Sequence, residues 1–235
     1  LDEQARQLAS SSETSPQEAI LKAVKKIEKG QNDSLHFFAP LHLAAAQKAL
    51  TEAQNLLNDQ VQPALALEQV FKIDILLEAA YANKETVQST LEKALNHKQI
   101  LEALGTPEIL PEDYQSVIDD LEDIIKEIEG GFFDKAQKGQ TDLIVLMTDV
   151  EISSLKKTHL SQAESMIDKA ISIDAEDYAE KTFTQAEQAF ESATLYIEKN
   201  YRDREGVRQN GLDALNAATH AFYVAKEASK LVELK

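Results

Sequence analysis

Histidines are the residues of this chain best suited to metal binding or proton transfer, and there are five of them: His36, His42, His97, His159 and His220. A metal site in a helical bundle needs ligands three or four residues apart on one face. Neither a Glu-x-x-His nor a His-x-x-x-His spacing occurs, and His36 and His42 flank Pro40, so they need not share a face. We therefore predict no metal ligands and interpret the histidines as polar surface or capping residues.

Carboxylates are concentrated between Thr106 and Asp134, where Lys126 is the one basic residue. The apolar residues of this stretch recur on one helical face, so its acids occupy the other face. Such a face is either solvated or a docking surface for a basic partner or a loose divalent-cation surface, and no Asp-x-Asp-x-Asp-Gly calcium loop accompanies it. The candidate docking residues are Asp113, Asp119, Asp120, Glu122, Asp123 and Glu127.

Three further aspartates, Asp74, Asp142 and Asp213, each have apolar neighbours in the sequence. A buried carboxylate without a partner is energetically costly. We therefore expect each of them to lie at the edge of a helix contact and to bond a lysine or a backbone group.

Other kinds of chemistry are excluded by composition. The chain has no cysteine and only 7 glycines, and no serine–histidine–acid set or nucleotide-binding fingerprint can be assembled from it. A net charge of −17 argues against nucleic acid and anionic membranes as partners. No apolar stretch approaches the roughly 20 residues of a membrane span. The sequence thus predicts a non-enzymatic protein without a cofactor.

The elements that carry these residues are all predicted to be helices. Every proline stands where a helix could begin, apolar residues recur at intervals of three and four, and no alternating pattern is sustained. The expected fold is all-α, more than roughly 70% helical, with residues 1–14 as a flexible leader and 15–235 as a single domain. A first helix over 15–30 would begin at a Ser15–Glu18 capping box and stop at Gly30.

Short and long helices are predicted to alternate in an elongated antiparallel bundle. Neither proline nor glycine occurs between Pro63 and Gly105, which predicts one continuous helix about 60 Å long. Further long helices are predicted over Phe132–Ile173 and about 204–234. Shorter ones precede the three at about 40–57, 111–128 and 177–199.

This alternation indicates about three helix-pair repeats, over residues 36–110, 111–175 and 176–235. Phe38-Ala39-Pro40 aligns with Tyr178-Ala179-Glu180, which brings Ala46 and Ala53 onto Ala186 and Ala193. Alanine every seventh residue, beside a large apolar residue, suits close helix contacts. We align the middle repeat through Asp113-Tyr114 and Asp177-Tyr178, with larger residues in place of the alanines. Chance similarity between two alanine-rich amphipathic helices remains the alternative.

The first and last repeats resemble an alanine-rich helical domain of unknown function found in bacterial envelope lipoproteins. The resemblance lies in Phe38-Ala39-Pro40, the heptad of alanine and leucine that follows it, and the Asp213-Ala214 step, over about 38–82 and 178–228. It implies a periplasmic or outer-membrane-associated location, no known catalysis, and a lipid anchor before Leu1. The middle repeat departs from the family pattern.

Two functional hypotheses follow from these observations. The first is a non-enzymatic helical scaffold or protein-interaction module of the bacterial cell envelope, which acts through a protein partner. The second is a small-molecule or ion-binding helical bundle, with its cavity where alanine-lined helices diverge. An exposed apolar run would favour the first hypothesis and a polar-lined pocket the second.

Overall fold

A computed structural model describes residues 1–10, 15–58 and 63–233, and these residues are almost entirely helical. The described residues are 92% helical, and no strand occurs among them. The predicted all-α class is therefore confirmed. None of the described helices is both long enough and apolar enough to cross a membrane.

Eleven helices account for the described residues. Their bounds are α1 Asp2–Ser10, α2 Pro16–Asn32, α3 Leu35–Phe38, α4 Pro40–Asn58, α5 Pro63–Thr90, α6 Glu92–Ala103, α7 Thr106–Ile109, α8 Pro111–Glu129, α9 Phe133–Ile171, α10 Ala175–Asn200 and α11 Arg204–Glu233. Four prolines are first residues of helices and Pro107 is a second residue, as predicted. Proline is tolerated there because the first backbone amides of a helix have no intrahelical acceptor.

The amino-terminal segment differs from the predicted flexible leader. Residues 2–10 form α1, whose Ala5 is fully buried. Two ion pairs join α1 to α5: Asp2 to Lys72 at 2.9 Å and Arg6 to Glu68 at 3.6 Å. The rest of the predicted leader, residues 11–14, lies outside the described part of the chain.

Helix α2 begins at Pro16 as predicted, but without the predicted capping box. The Ser15 hydroxyl donates to the Gln17 side chain, and Glu18 pairs with Lys22 one turn later. The helix also continues past Gly30 to Asn32. Gly30 is buried there, and a Cβ atom on it would lie 3.0 Å from Leu35, so it serves close packing and does not end the helix.

The continuous helix predicted from Pro63 to Gly105 is interrupted by a bend at Leu91, between α5 and α6. At the bend, the Gln140 side-chain amide donates to the Thr90 carbonyl at 3.0 Å. A side chain that takes over a backbone carbonyl is one of the recognised causes of helix bending. The other two predicted long helices are confirmed as α9 and α11, and the 39 residues of α9 extend for about 58 Å.

The chain divides into two compact units, where the sequence predicted one domain over 15–235. The first unit comprises the described residues of 1–96 and 118–143, and the second comprises 97–117 and 144–233. In the first unit α2, α3, α4 and α5 share one apolar core. In the second unit, clusters of α9, α10 and α11 residues run from Leu155, Ala193 and Val207 to Ala170, Phe183 and Ala225. Within it, α9 and α11 are therefore parallel and α10 is antiparallel to both.

One backbone pattern occurs three times, at intervals of about 70 residues. The pattern begins with a residue in the left-handed conformation, which is followed by one turn of helix. A break in the helix comes next, and a longer helix follows the break. The left-handed residues are Ser34, Gly105 and Asp174. The breaks are at Ala39, Leu110 and Ala179, where φ is −152°, −136° and −151°. The residue after each left-handed position, Leu35, Thr106 and Ala175, is fully buried. This recurrence supports the predicted internal repeat.

The predicted register of the middle repeat is wrong by five residues. The break at Leu110 corresponds to Ala39 and Ala179, so Tyr114 corresponds to Phe183 and not to Tyr178. In this register Val117 and Ile124 replace the alanine pairs of the other two repeats. All six side chains are buried: Ala46, Ala53, Val117, Ile124, Ala186 and Ala193.

Candidate functional site

The predicted acidic face lies on α8, whose apolar side chains are buried on the opposite face. Val117, Leu121, Ile124, Ile125 and Ile128 are all buried. Asp119, Asp120, Glu122 and Asp123 are exposed in the first unit, and Glu127 is partly exposed there. Asp113 is also exposed but belongs to the second unit.

Two lysines offset part of this negative charge. Lys126 pairs with Asp123 at 2.9 Å and Lys135 with Glu127 at 3.4 Å. The Asp123 hydrogen bond and the surrounding carboxylates raise the pKa of Lys126. Both pairs lie at the surface, where ion pairs contribute little to stability. The face therefore retains an excess of exposed carboxylates.

A buried group of charged side chains lies in the second unit, and the sequence analysis missed it. Glu151 of α9 is 1% exposed and His97 of α6 is 6% exposed. The His97 Nε2 and Glu151 Oε2 atoms are 2.7 Å apart. Arg204, at the start of α11, donates to the second oxygen of Glu151 and to the Tyr201 carbonyl. The expectation of a surface or capping role is wrong for His97.

The Glu151 carboxylate is held in its charged form. Burial acts to raise its pKa, but the His97 and Arg204 hydrogen bonds and the Arg204 charge outweigh burial, so the pKa of Glu151 is lowered. Both carboxylate oxygens have donors, and solvent scarcely reaches them. Such a carboxylate fixes three helices together and offers no access to a substrate.

His42 lies in the first turn of α4 in the first unit, and the cap of this helix is the Glu129 side chain, not the predicted histidine. The Glu129 carboxylate accepts hydrogen bonds from the backbone amides of Leu41 and His42, at 2.9 and 2.6 Å. Its Oε1 atom also lies 2.5 Å from His42 Nδ1. Glu129 thus satisfies amides in the first turn of α4, a position that favours negative charge.

The three aspartates with apolar sequence neighbours have different surroundings. Asp74 pairs with Lys26 at 2.7 Å, as predicted. Asp213 is exposed and accepts a hydrogen bond from the Gln209 amide, so the predicted lysine or backbone partner is wrong there. Asp142 is exposed and makes no hydrogen bond or ion pair with a described residue.

A groove between α9 and α11 in the second unit contains two adjoining cavities, of about 250 and 420 Å³. Gln162 and Leu215 line both cavities. The smaller one is also lined by Thr158, His159, Arg208, Gly211 and Leu212. The larger one is also lined by Ser161, Ser165, Met166, Lys169, Asn216 and Thr219. We name this feature the α9–α11 groove.

Gly211 and His159 mark the close approach of the two helices. A Cβ atom on Gly211 would lie 2.8 Å from the His159 carbonyl oxygen, so a larger residue would push the helices apart. Burial, followed by the charges of Arg204 and Arg208, lowers the pKa of His159. The imidazole in the smaller cavity is therefore neutral at pH 7.

Metal binding finds no support in the described part of the chain. No group of three or more histidine, aspartate and glutamate side chains there is placed to hold an ion. His97 and Glu151 touch, but their third neighbour is the Arg204 cation.

The comparisons with known proteins return no relative. No protein-family model matches the chain, and no curated protein or solved structure matches it.

Proposed function

We propose that this chain is a non-enzymatic helical interaction module that docks a basic protein partner on the acidic face of α8. The observation that carries the proposal is the exposure of consecutive carboxylates, Asp119-Asp120 and Glu122-Asp123, opposite a fully apolar buried face. A surface of one charge sign accelerates encounter with an oppositely charged partner and selects against others.

Charge reversal tests whether the face is a localised site. The triple variant D119K/D120K/D123K should weaken binding of a lysine- and arginine-rich probe peptide by at least about tenfold at physiological salt. A matched variant, E164K/E187K/E191K, reverses three exposed acids inside α9 and α10 and changes the net charge equally. It should bind the probe like the parent protein.

Equal loss of binding in the two variants would mean that only the overall charge of −17 attracts the peptide, and the docking proposal would fail. Circular dichroism should show unchanged helicity in both proteins, since all six positions are exposed. Turnover of any substrate by the purified chain would overturn the non-enzymatic part of the proposal.

A location in the bacterial envelope belongs to the proposal as well. Its support is the resemblance of the Phe38-Ala39-Pro40 and Tyr178-Ala179 regions to an envelope family. The buried alanines at Ala46, Ala53, Ala186 and Ala193 agree with the close helix contacts that this pattern requires. Fractionation of the source cells with an antibody to the chain tests it, and recovery in the cytoplasm would refute it.

The second candidate function, a small-molecule-binding bundle, is favoured by the α9–α11 groove. The larger cavity, of about 420 Å³, falls within the size range of small-molecule sites, and the smaller cavity adjoins it. Polar side chains from both helices line them, which is the feature that distinguishes this hypothesis from a purely structural bundle.

A further inference from the structure

The charges that line the α9–α11 groove are opposite in sign to those of the chain as a whole. Among the described residues that line its cavities, Arg208 and Lys169 are cationic and none carries a carboxylate. The chain itself has a net charge of −17. An anion bound in the groove would therefore contact cations, although the net negative charge of the protein repels anions elsewhere.

The two cations are accessible to a ligand. Lys169 is exposed and makes no ion pair with a described residue; its amine lies 4.0 Å from the Met166 sulfur. Arg208 holds Glu205 through two nitrogens, at 3.0 and 2.5 Å. This bidentate pair uses Nε and Nη2, and Nη1 makes no hydrogen bond with a described residue, so Nη1 is available to a ligand carboxylate.

Polar side chains with unused hydrogen-bonding capacity lie between the cations. Five of the lining side chains make no hydrogen bond with a described residue: Ser161, Gln162, Ser165, Asn216 and Thr219. Thr158, by contrast, donates its hydroxyl to the Ser154 carbonyl of its own helix. Hydroxyl and amide groups that converge on one cavity can donate to and accept from the hydroxyl groups of a ligand.

The groove is elongated. On α9 its lining extends from Thr158 to Lys169, and on α11 from Arg208 to Thr219. At 1.5 Å rise per residue, each of these stretches covers about 16 Å. Because α9 and α11 are parallel, Arg208 lies at the Thr158 end and Lys169 at the Thr219 end. The cations are thus at opposite ends, with the hydroxyl and amide groups between them.

We infer that the α9–α11 groove binds an elongated organic anion of the sugar-acid class. One carboxylate pairs with Arg208 beside His159, the ligand's hydroxyl groups bond Ser161, Ser165 and Asn216, and a second carboxylate reaches Lys169. Met166 and Leu215 contact the apolar faces of the ligand. This inference rests on the second candidate function and is independent of docking on α8.

Isothermal titration calorimetry with trigalacturonate as the probe tests the inference. Maltotriose, a neutral trisaccharide, controls for hydroxyl groups without charge, and inorganic phosphate controls for charge without hydroxyl groups. Trigalacturonate should bind at least about tenfold more tightly than either control, because hydrogen bonds to charged groups are the stronger ones. In two-dimensional NMR spectra the shifted amides should be confined to 158–169 and 208–219.

Two variants locate the site. Lys169→Gln and Arg208→Gln should each weaken trigalacturonate binding about tenfold. Lys157→Gln removes an exposed lysine of the same helix that does not line the groove, and it should bind the probe like the parent. All three positions are exposed, so the variants should keep the parent's helicity.

The inference is overturned if trigalacturonate does not bind, if maltotriose or phosphate binds as tightly, or if Lys157→Gln weakens binding as much as Lys169→Gln. Failure here is distinguishable from failure of the docking proposal. The α8 variants leave every groove residue unchanged, and the groove variants leave the acidic face unchanged.

Discussion

The Nε2 atom of His97 lies 2.7 Å from Oε2 of Glu151, and both side chains are buried in the second compact unit. Arg204 bonds the other oxygen of the same carboxylate. The Glu151 charge would be costly to bury alone, and His97 and Arg204 compensate it. The three side chains join α6, α9 and α11.

Removal of this carboxylate should be strongly destabilising. Glu151→Ala should lower the free energy of unfolding by about 3 kcal/mol, because His97 and Arg204 lose their shared partner. Urea denaturation at pH 7 measures the change. Glu227→Ala, which removes an exposed pair with Lys230, is the control and should leave the transition midpoint unchanged. A loss below about 1 kcal/mol for Glu151→Ala would show that these contacts stabilise the protein no more than surface ion pairs do.

His159 should make stability depend on pH between about 7.5 and 5.5. Its folded pKa lies below the ordinary value of 6.5 because of burial and the charges of Arg204 and Arg208. As pH falls, the unfolded chain takes up this proton first. The stabilisation is therefore present above about pH 6.5 and is lost as pH falls through the folded pKa. The Glu151 carboxylate contributes only at lower pH, since its pKa is lowered from 4.5.

Replacement of this histidine tests the assignment. His159→Gln should lose less stability than the parent between pH 7.5 and 5.5, measured as the shift of the urea midpoint. Gln162→Ala changes a side chain of the same groove that does not titrate, and it should keep the parent's pH dependence. Identical shifts in the parent and in His159→Gln would show that His159 does not cause the effect.

The buried alanines should not tolerate larger side chains. Ala46→Leu and Ala186→Leu should each lower the free energy of unfolding by about 1–3 kcal/mol, because both sites are fully buried between helices. Ala44→Leu is a matched control on α4, where the side chain is exposed and the helix propensities of alanine and leucine are similar. Thermal unfolding measures all three, and a midpoint for Ala46→Leu equal to that of Ala44→Leu would exclude a close-packed seam.

Local signals predicted most of the helices and the acidic face. Pro16, Pro40 and Pro111 mark helix starts because proline fixes the backbone there at little cost. The face of α8 follows from its helical periodicity, since Leu121, Ile125 and Ile128 must be buried and the acids then lie opposite. Both inferences depend only on residues within one helix.

The groups that depend on tertiary contact could not be predicted in this way. His97 and Glu151 are separated by 54 residues, and Glu151 and Arg204 by 53, so no local spacing relates them. One signal was available: Glu151 directly follows Val150 in an apolar stretch, at a position where a carboxylate needs a buried partner. The cavities of the α9–α11 groove depend likewise on how two distant helices pack.

The predicted register of the middle repeat was wrong because the alignment used similar side chains. The register is set by the backbone conformation. The Asp-Tyr pair at Asp113-Tyr114 resembles Asp177-Tyr178, but the left-handed residues are Gly105 and Asp174. Glycine at one of these positions is the sequence signal of a positive φ angle. Ser34 gives no such signal.

Introducing glycine at a left-handed position should therefore raise the free energy of unfolding, and replacing glycine there should lower it. Ser34, Gly105 and Asp174 have φ angles of 62°, 72° and 55°. A residue with a side chain is disfavoured there by roughly 1–2 kcal/mol. A Cβ atom on Gly105 would be 3.7 Å from its nearest neighbours, an ordinary contact, so Gly105→Ala tests the backbone alone. It should lower the free energy of unfolding by about 1 kcal/mol.

Ser34→Gly should raise the free energy of unfolding by about 0.5 kcal/mol, because relief of the left-handed strain exceeds the entropy that glycine adds to the unfolded chain. Ser116→Gly is the matched control: this serine is exposed inside α8, where glycine should be destabilising by about 0.5–1 kcal/mol. Urea denaturation of the three variants at one pH gives the comparison. If Ser34→Gly were as destabilising as Ser116→Gly, position 34 would not be left-handed in solution. The first repeat would then lack the backbone conformation of the other two.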